Sequence, residues 1–266
     1  MAARHSEKKA ISTSHWQWVV SGVLTGVVLA MLMFPPARWL AAGVHKATSG
    51  QLSLPDAQGS VWRGSSQLVL SGGAGSQGGS AVPGRISWKL SPAWSGVTLE
   101  LQALCCMSQS LQLAWQWRWG GWALAVAEHQ SNWPAGLLAG LGTPWNTIAA
   151  EGNLAISHKG LSLEWVEGRM ALSGALQIDA QDMASRLTTI NPMGSYRLRL
   201  EGGPLMSLNL QTLRGSLQLS GQGQWVAGRL RFEGVASAEP ERQDALSNLL
   251  NIIGRREGAR SIIKVG

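Results

Sequence analysis

From Leu52 onward the sequence alternates apolar and polar residues. Pairs of the form Leu-x-Leu recur at 68/70, 99/101, 111/113, 161/163 and 208/210, and again at 217/219. Close equivalents are Leu176/Ile178, Leu198/Leu200 and Leu230/Phe232. The residues between them are mostly Ser, Gln, Thr, Arg and Glu. A period of two sends one set of side chains to an apolar face and the other to a wet face. Glycines punctuate the runs at Gly72-Gly73, Gly120-Gly121, Gly202-Gly203, Gly221 and Gly223. The chain is therefore expected to be mainly β. It reads as a mostly antiparallel sheet with one buried face, either curved on itself or packed as a sandwich.

Composition agrees. Gly accounts for 33 of 266 residues, and only 14% of residues are charged, against about 25% in an average soluble domain. A long coiled coil and a polar linker protein are excluded. The net charge of +7 is not a nucleic-acid footprint. Residues 1–15 hold Arg4, Lys8 and Lys9 against Glu7, giving +2. Residues 255–266 hold Arg255, Arg256, Arg260 and Lys264 against Glu257, giving +3. Only +2 is left for residues 16–254. Nucleic-acid binding needs cations clustered on one face, so no nucleic-acid partner is expected.

The exception to the alternation is residues 16–34, WQWVVSGVLTGVVLAMLMF, which carry no charged residue. As a helix this run is about 28 Å long, close to the roughly 30 Å of a bilayer core. Trp16 and Trp18 sit where indoles favour the interface, and Pro35-Pro36 stops the helix. The basic residues 1–15 place that end in the cytoplasm. Residues 37–266 then lie across the membrane, with inner-membrane lipid around the helix. A cleaved leader is the rival reading, but no A-x-A site follows, and the run exceeds the usual 7–15-residue signal core. Gly22 and Gly26 read as ordinary glycines of a membrane helix.

Two short helices interrupt the strands. Residues 134–141 (PAGLLAGL) begin with proline, which suits a first turn. Residues 240–253 have Glu239, Glu241 and Asp244 near the start and Leu246, Leu249, Leu250 and Ile253 on one face. Gly254 follows as a C-cap. Ser261 to Val265 reads as a last strand. A division near residues 134–147 would split the exported part into two halves. In the longest alternating run, Leu111, Leu113, Trp115, Trp117 and Trp119 share one parity, and indoles filling a sheet-to-sheet gap are expected there.

No catalytic constellation is found. His129 and His158 lack metal-ligand spacing, and there is no C-x-x-C, Walker A or G-x-S-x-G motif. Glu164 and Glu167 fall on opposite strand faces, and Asp179 and Asp182 read as turn residues. An enzyme, a cofactor, a metal and a small-molecule substrate are therefore not expected. Arg197 and Arg199 share a strand face opposite Tyr196, Leu198 and Leu200. With the basic end at Arg255 and Arg256 they form the candidate partner contact. Cys105 and Cys106 are a possible disulfide or two free thiols. Adjacent Cα atoms are about 3.8 Å apart, short for a disulfide, and the flanking alternation sends the side chains to opposite faces, so thiols are favoured.

Several stretches together resemble one family. They are residues 59–64 (GSVWRG), 86–92 (ISWKLSP), 191–198 (NPMGSYRL), 212–225 (TLRGSLQLSGQGQW) and 230–236 (LRFEGVA), and residues 246–253 followed by Gly254, Arg255 and Arg256. In order and spacing they are similar to the type II secretion system protein N family, also called general secretion pathway protein N. The resemblance covers nearly the whole chain after the apolar run. It implies a bitopic inner-membrane protein of a Gram-negative bacterium with a large periplasmic domain. Its implied role is binding and assembly with other type II secretion subunits during protein export across the outer membrane. The one-sided apolar sheet also resembles AsmA-type proteins, which implies a lipid-binding or lipid-transfer groove as the alternative. An outer-membrane barrel needs strands of about 9–11 residues, longer than most runs here.

Overall fold

The computed structural model describes residues 14–73, 78–226 and 228–266. The expected cytoplasmic tail lies almost wholly outside the described residues, as do positions 74–77 of the Gly-rich stretch. The apolar run forms helix α1 (Ser14–Met33), and its described side chains are all exposed. Among the described residues no helix is long and apolar enough to cross a membrane. No side chain or backbone lies within 4 Å of a Cβ built on Gly22 or Gly26. After Pro35-Pro36 comes α2 (Ala37–Ala47).

The strands follow in chain order. The first five are short: β1 (Leu52–Ser53), β2 (Gln58–Gly59), β3 (Arg63–Ser66), β4 (Val69–Ser71) and β5 (Gly79–Ala81). Next come β6 (Ile86–Ala93), β7 (Gly96–Ala103), β8 (Leu111–Arg118), β9 (Gly121–Val126) and β10 (His129–Pro134). A 3-10 segment (Ala135–Leu141) and α3 (Trp145–Ile148) lead into β11 (Ala150–Val166) and β12 (Arg169–Ser185). The rest are β13 (Gly194–Glu201), β14 (Ser207–Arg214), β15 (Leu217–Val226) and β16 (Arg229–Ala238). A 3-10 turn (Pro240–Arg242), α4 (Gln243–Ile253), β17 (Arg255–Glu257) and β18 (Arg260–Val265) end the chain.

Strands β1, β4 and β5 form a small sheet. The other fifteen form one open antiparallel sheet running from β17 and β18 at one edge, through the meander, to β3 and β2 at the other. Mainly β, antiparallel and poor in helix is what alternation and glycine punctuation require. The sheet neither closes nor faces a second sheet of comparable size. Strands β11 and β12 are each 17 residues long, exceptions to the mostly short runs read from the sequence. Register shifts at Glu151/Asn153 and Lys159/Ser162 let β11 run on through local irregularities. On its outer side β11 pairs first with β10 and then with β9. Asp179 and Asp182 lie within β12, not in a turn, although Asp182 takes a positive φ at the shift between Ala180 and Met183.

Helix α4 covers one end of the apolar face. Leu246, Leu249 and Leu250 are fully buried against Leu217, Ala236, Ala238 and Tyr196. The predicted face is thus the one used, though its first three residues form a 3-10 turn. Gly254 is not a left-handed cap. Its backbone is extended, and a Cβ there would lie 2.5 Å from the Ile262 carbonyl oxygen. Glycine is needed at this position for close approach. A smaller cluster of Val82, Cys106 and Leu137 lies under the 3-10 segment.

The stretches that carry the family resemblance pack against one another. A Cβ on Gly64 would strike the Trp88 ring, whose Nε1 donates to the Val61 carbonyl at 3.1 Å. Gly215 passes against Gly194 and the Met193 carbonyl. Gly221 and Gly234 leave room for the Phe232 ring. These residues hold strands together, and Gly221 and Gly234 also line the trough described below.

Candidate functional site: a polar trough on the sheet

Alternation in β13–β16 and β18 builds three rows across the polar face. Register aligns Arg197 with Gln211, Ser220, Val235 and Ile262. The next row is Arg199, Asn209, Gln222, Glu233 and Lys264. The third is Glu201, Ser207, Gln224 and Arg231. A cavity of about 1370 Å³ lies against these rows. Its floor is a grid of amides, hydroxyls and charged groups able to donate and accept hydrogen bonds along several neighbouring strands.

The predicted arginines are found here, but they are not free. Arg197 forks onto Asp179, with Nε to Oδ1 at 2.7 Å and Nη2 to Oδ2 at 2.8 Å, and the Gln177 amide donates to the same carboxylate at 3.1 Å. A bidentate guanidinium–carboxylate pair is the strongest of ordinary ion pairs. The bonds from Arg197 hold the Asp179 carboxyl below its usual range, and burial opposes them. Arg197 itself is pushed up by the same bonds. Arg199 pairs with Glu201 at 2.8 Å, and Lys264 with Glu233 at 3.2 Å, both exposed and therefore worth little. Arg231 has no ion pair among the described residues. Of the four cations that line the trough, Arg197, Arg199 and Lys264 are paired and Arg231 is not, so the trough carries little net charge and is not built for a polyanion.

The basic end divides. Arg255 pairs in register with Ile262 and so starts on the trough face, exposed. Arg256 pairs with Ser261, whose hydroxyl donates to the Leu250 carbonyl of α4. It therefore starts on the helix-covered face, with Nε donating to the Gly258 carbonyl at 2.7 Å and Nη1 buried without a partner. Arg256 does not share a surface with Arg197 and Arg199.

Cys105 and Cys106 are joined as a vicinal disulfide. The expectation of two thiols on opposite faces fails because the chain leaves β7 at Ala103. Both cysteines occupy a turn, where strand alternation does not apply. Cys106 is buried in the small cluster and Cys105 is exposed. The carbonyl of Cys106 accepts from Asn132 N–H at 2.8 Å, tying the turn to β10.

Sequence reading missed a histidine pair. His129 and His158 lie 29 positions apart, yet β10 and β11 place them directly opposite, with ring centroids 6.2 Å apart. Both are buried, and His129 Nε2 and His158 Nδ1 have no hydrogen-bond partner. Burial lowers the His158 pKa, and the neighbouring His129 lowers it further against the opposing pull of Glu128. Spacing rules look along one element and cannot see a cross-strand pair. Among the described residues no three His, Cys, Asp or Glu side chains converge as a metal site.

The fold and the trough define an open antiparallel sheet with a broad hydrogen-bonding face. The type II secretion system (T2SS) protein N family model matches residues 50–263, and the chain belongs to that family. It is thus a component of the type II secretion machinery. No curated protein and no solved structure matches the chain.

Proposed function

We propose that the protein is an inner-membrane subunit of the type II secretion system that acts by binding other subunits, and that the polar trough is the contact surface. The trough itself carries this reading. Its three rows of hydrogen-bonding groups span β13–β18, and no nucleophile–base set lies among them. α1 serves as the anchor, with residues 1–15 cytoplasmic and 37–266 periplasmic. Supporting this are its 20 residues, about 30 Å of helix, the absence of Asp, Glu, Lys and Arg from it, and exposure of its described side chains.

A photocrosslinker replacing Gln222 in living cells should capture another secretion subunit, and Arg231→Glu should weaken that adduct without lowering protein abundance. Secretion across the outer membrane should fall while transit across the inner membrane continues. Full secretion with Arg231→Glu and Gln222→Glu combined would overturn the assignment.

A second reading has its own observation. Leu99, Leu113, Leu163 and Leu176 on the apolar face belong to neither buried cluster and stay only half-buried. This favours an AsmA-like groove for acyl chains. Phospholipid retained by the purified protein, and lost with Leu113→Asp but not with Gln222→Glu, would establish it.

A further inference from the structure

The turns of a meander alternate between the two ends of its sheet. One end collects the turns β6–β7, β8–β9, β11–β12, β13–β14 and β15–β16, together with the end of β18. Neighbouring turns are stitched together there. Trp117 N–H donates to the Ser95 carbonyl at 2.8 Å, Glu167 N–H to Gly120 at 3.3 Å, and Trp225 N–H to Met206 at 3.1 Å.

This end is unusually apolar. Trp94 and Trp119 are 106% and 103% exposed, so their rings bury nothing in the fold. Trp117, Met170, Leu205 and Val226 are exposed along the same end. Together these residues come from five successive hairpins, Trp117 and Trp119 sharing one, so the apolar groups form a rim along the end of the sheet. Monomeric proteins seldom expose contiguous apolar surface without a use. At the opposite end, among the described residues, only Leu104 and Leu213 are comparably exposed large apolar groups of the sheet's strands and turns.

Two features select the occupant. Indole, with an apolar ring and one N–H donor, favours the headgroup boundary of a bilayer. Exposed Arg118, Arg169 and Arg229 flank the rim, with Arg118 paired to Glu164 at 3.3 Å and Glu167 in the β11–β12 turn, which gives no strong field for a charged protein surface. The foot of α1 also lies close by. Val61 N–H donates to the Pro35 carbonyl at 2.8 Å, and Leu90 N–H to the Trp62 carbonyl at 2.7 Å. Strand β3 runs antiparallel to β6, so the β2–β3 turn that receives Pro35 points toward the same end of the sheet as the β6–β7 turn. The helix therefore leaves the body near the end that carries the rim.

We infer that this rim rests on the surface of the bilayer that α1 enters, with Trp94 and Trp119 at headgroup level. The inference depends on α1 being the anchor. It would fix the sheet upright on the membrane and leave the trough facing sideways toward neighbouring subunits.

The full-length protein can be reconstituted in phosphatidylethanolamine–phosphatidylglycerol vesicles, with p-benzoylphenylalanine replacing Val23, Trp94, Trp119 or Leu104 in turn. Irradiation should attach lipid at positions 23, 94 and 119, several-fold more than at 104. Lipid at 23 but no excess at 94 and 119 over 104 would overturn the rim and leave the anchor standing. No lipid at 23 would overturn the anchor, and the rim with it.

Discussion

At the scale of single residues, the glycines of the family stretches are spacers for aromatic rings. Gly64 faces Trp88, with the Gln58 carbonyl 2.6 Å from where a Cβ would stand. Gly64→Ala forces the ring or strand β2 to move, and overpacking of this kind costs about 1–3 kcal/mol. Urea denaturation should show that loss, while Gly136→Ala, with open space around its Cβ position, should not. His158 makes a second residue-level prediction. Its folded pKa lies below the ordinary histidine value of about 6.5, so below that pH the unfolded chain binds a proton that the folded chain resists. Stability is then fully present above pH 6.5 and falls as pH drops through that value. Melting temperature followed from pH 7.5 to 5.5 should decline, and the decline should be shallower in His158→Gln.

At the scale of elements, alternation decides which side of a strand is buried. Leu217 is 0% exposed beneath α4, whereas its neighbour Gln218 is exposed, its amide donating to the Gly215 carbonyl. Leu217→Ala should cost about 2–5 kcal/mol, and Gln218→Ala about 0.5 kcal/mol or less. Chemical denaturation that found equal costs would remove the period-two basis of the fold. Alternation was legible in β13–β16 because both faces keep their character along each strand. It misled at Trp119, which has the parity of a core indole but falls in the turn after β8. It misled again at Asp179 and Asp182, because polar residues on the wet face of a long strand look like a strand end.

At the scale of the whole molecule, an open sheet has edges to protect. β17 covers only the first half of β18, and β18 in turn covers β16. Truncation after Gly254 would bare a ten-residue strand and remove the Ser261 hydroxyl from the Leu250 carbonyl. An exposed edge of that length templates further pairing, so the truncated protein should elute as aggregate in size-exclusion chromatography. The sequence by itself determined the strand chemistry, the placement of α4 and the two-faced sheet, because these follow from periods of 2 and 3.6 within one segment. It also placed Arg197 and Arg199 on one face. Only tertiary structure decided that Asp179 neutralises Arg197, that Arg256 turns away from the trough, and that His129 meets His158. The same holds for the scattered tryptophans, which gather into one rim. Each of these depends on strand order and register, which are set by contacts between segments distant in the chain and leave no period in the sequence.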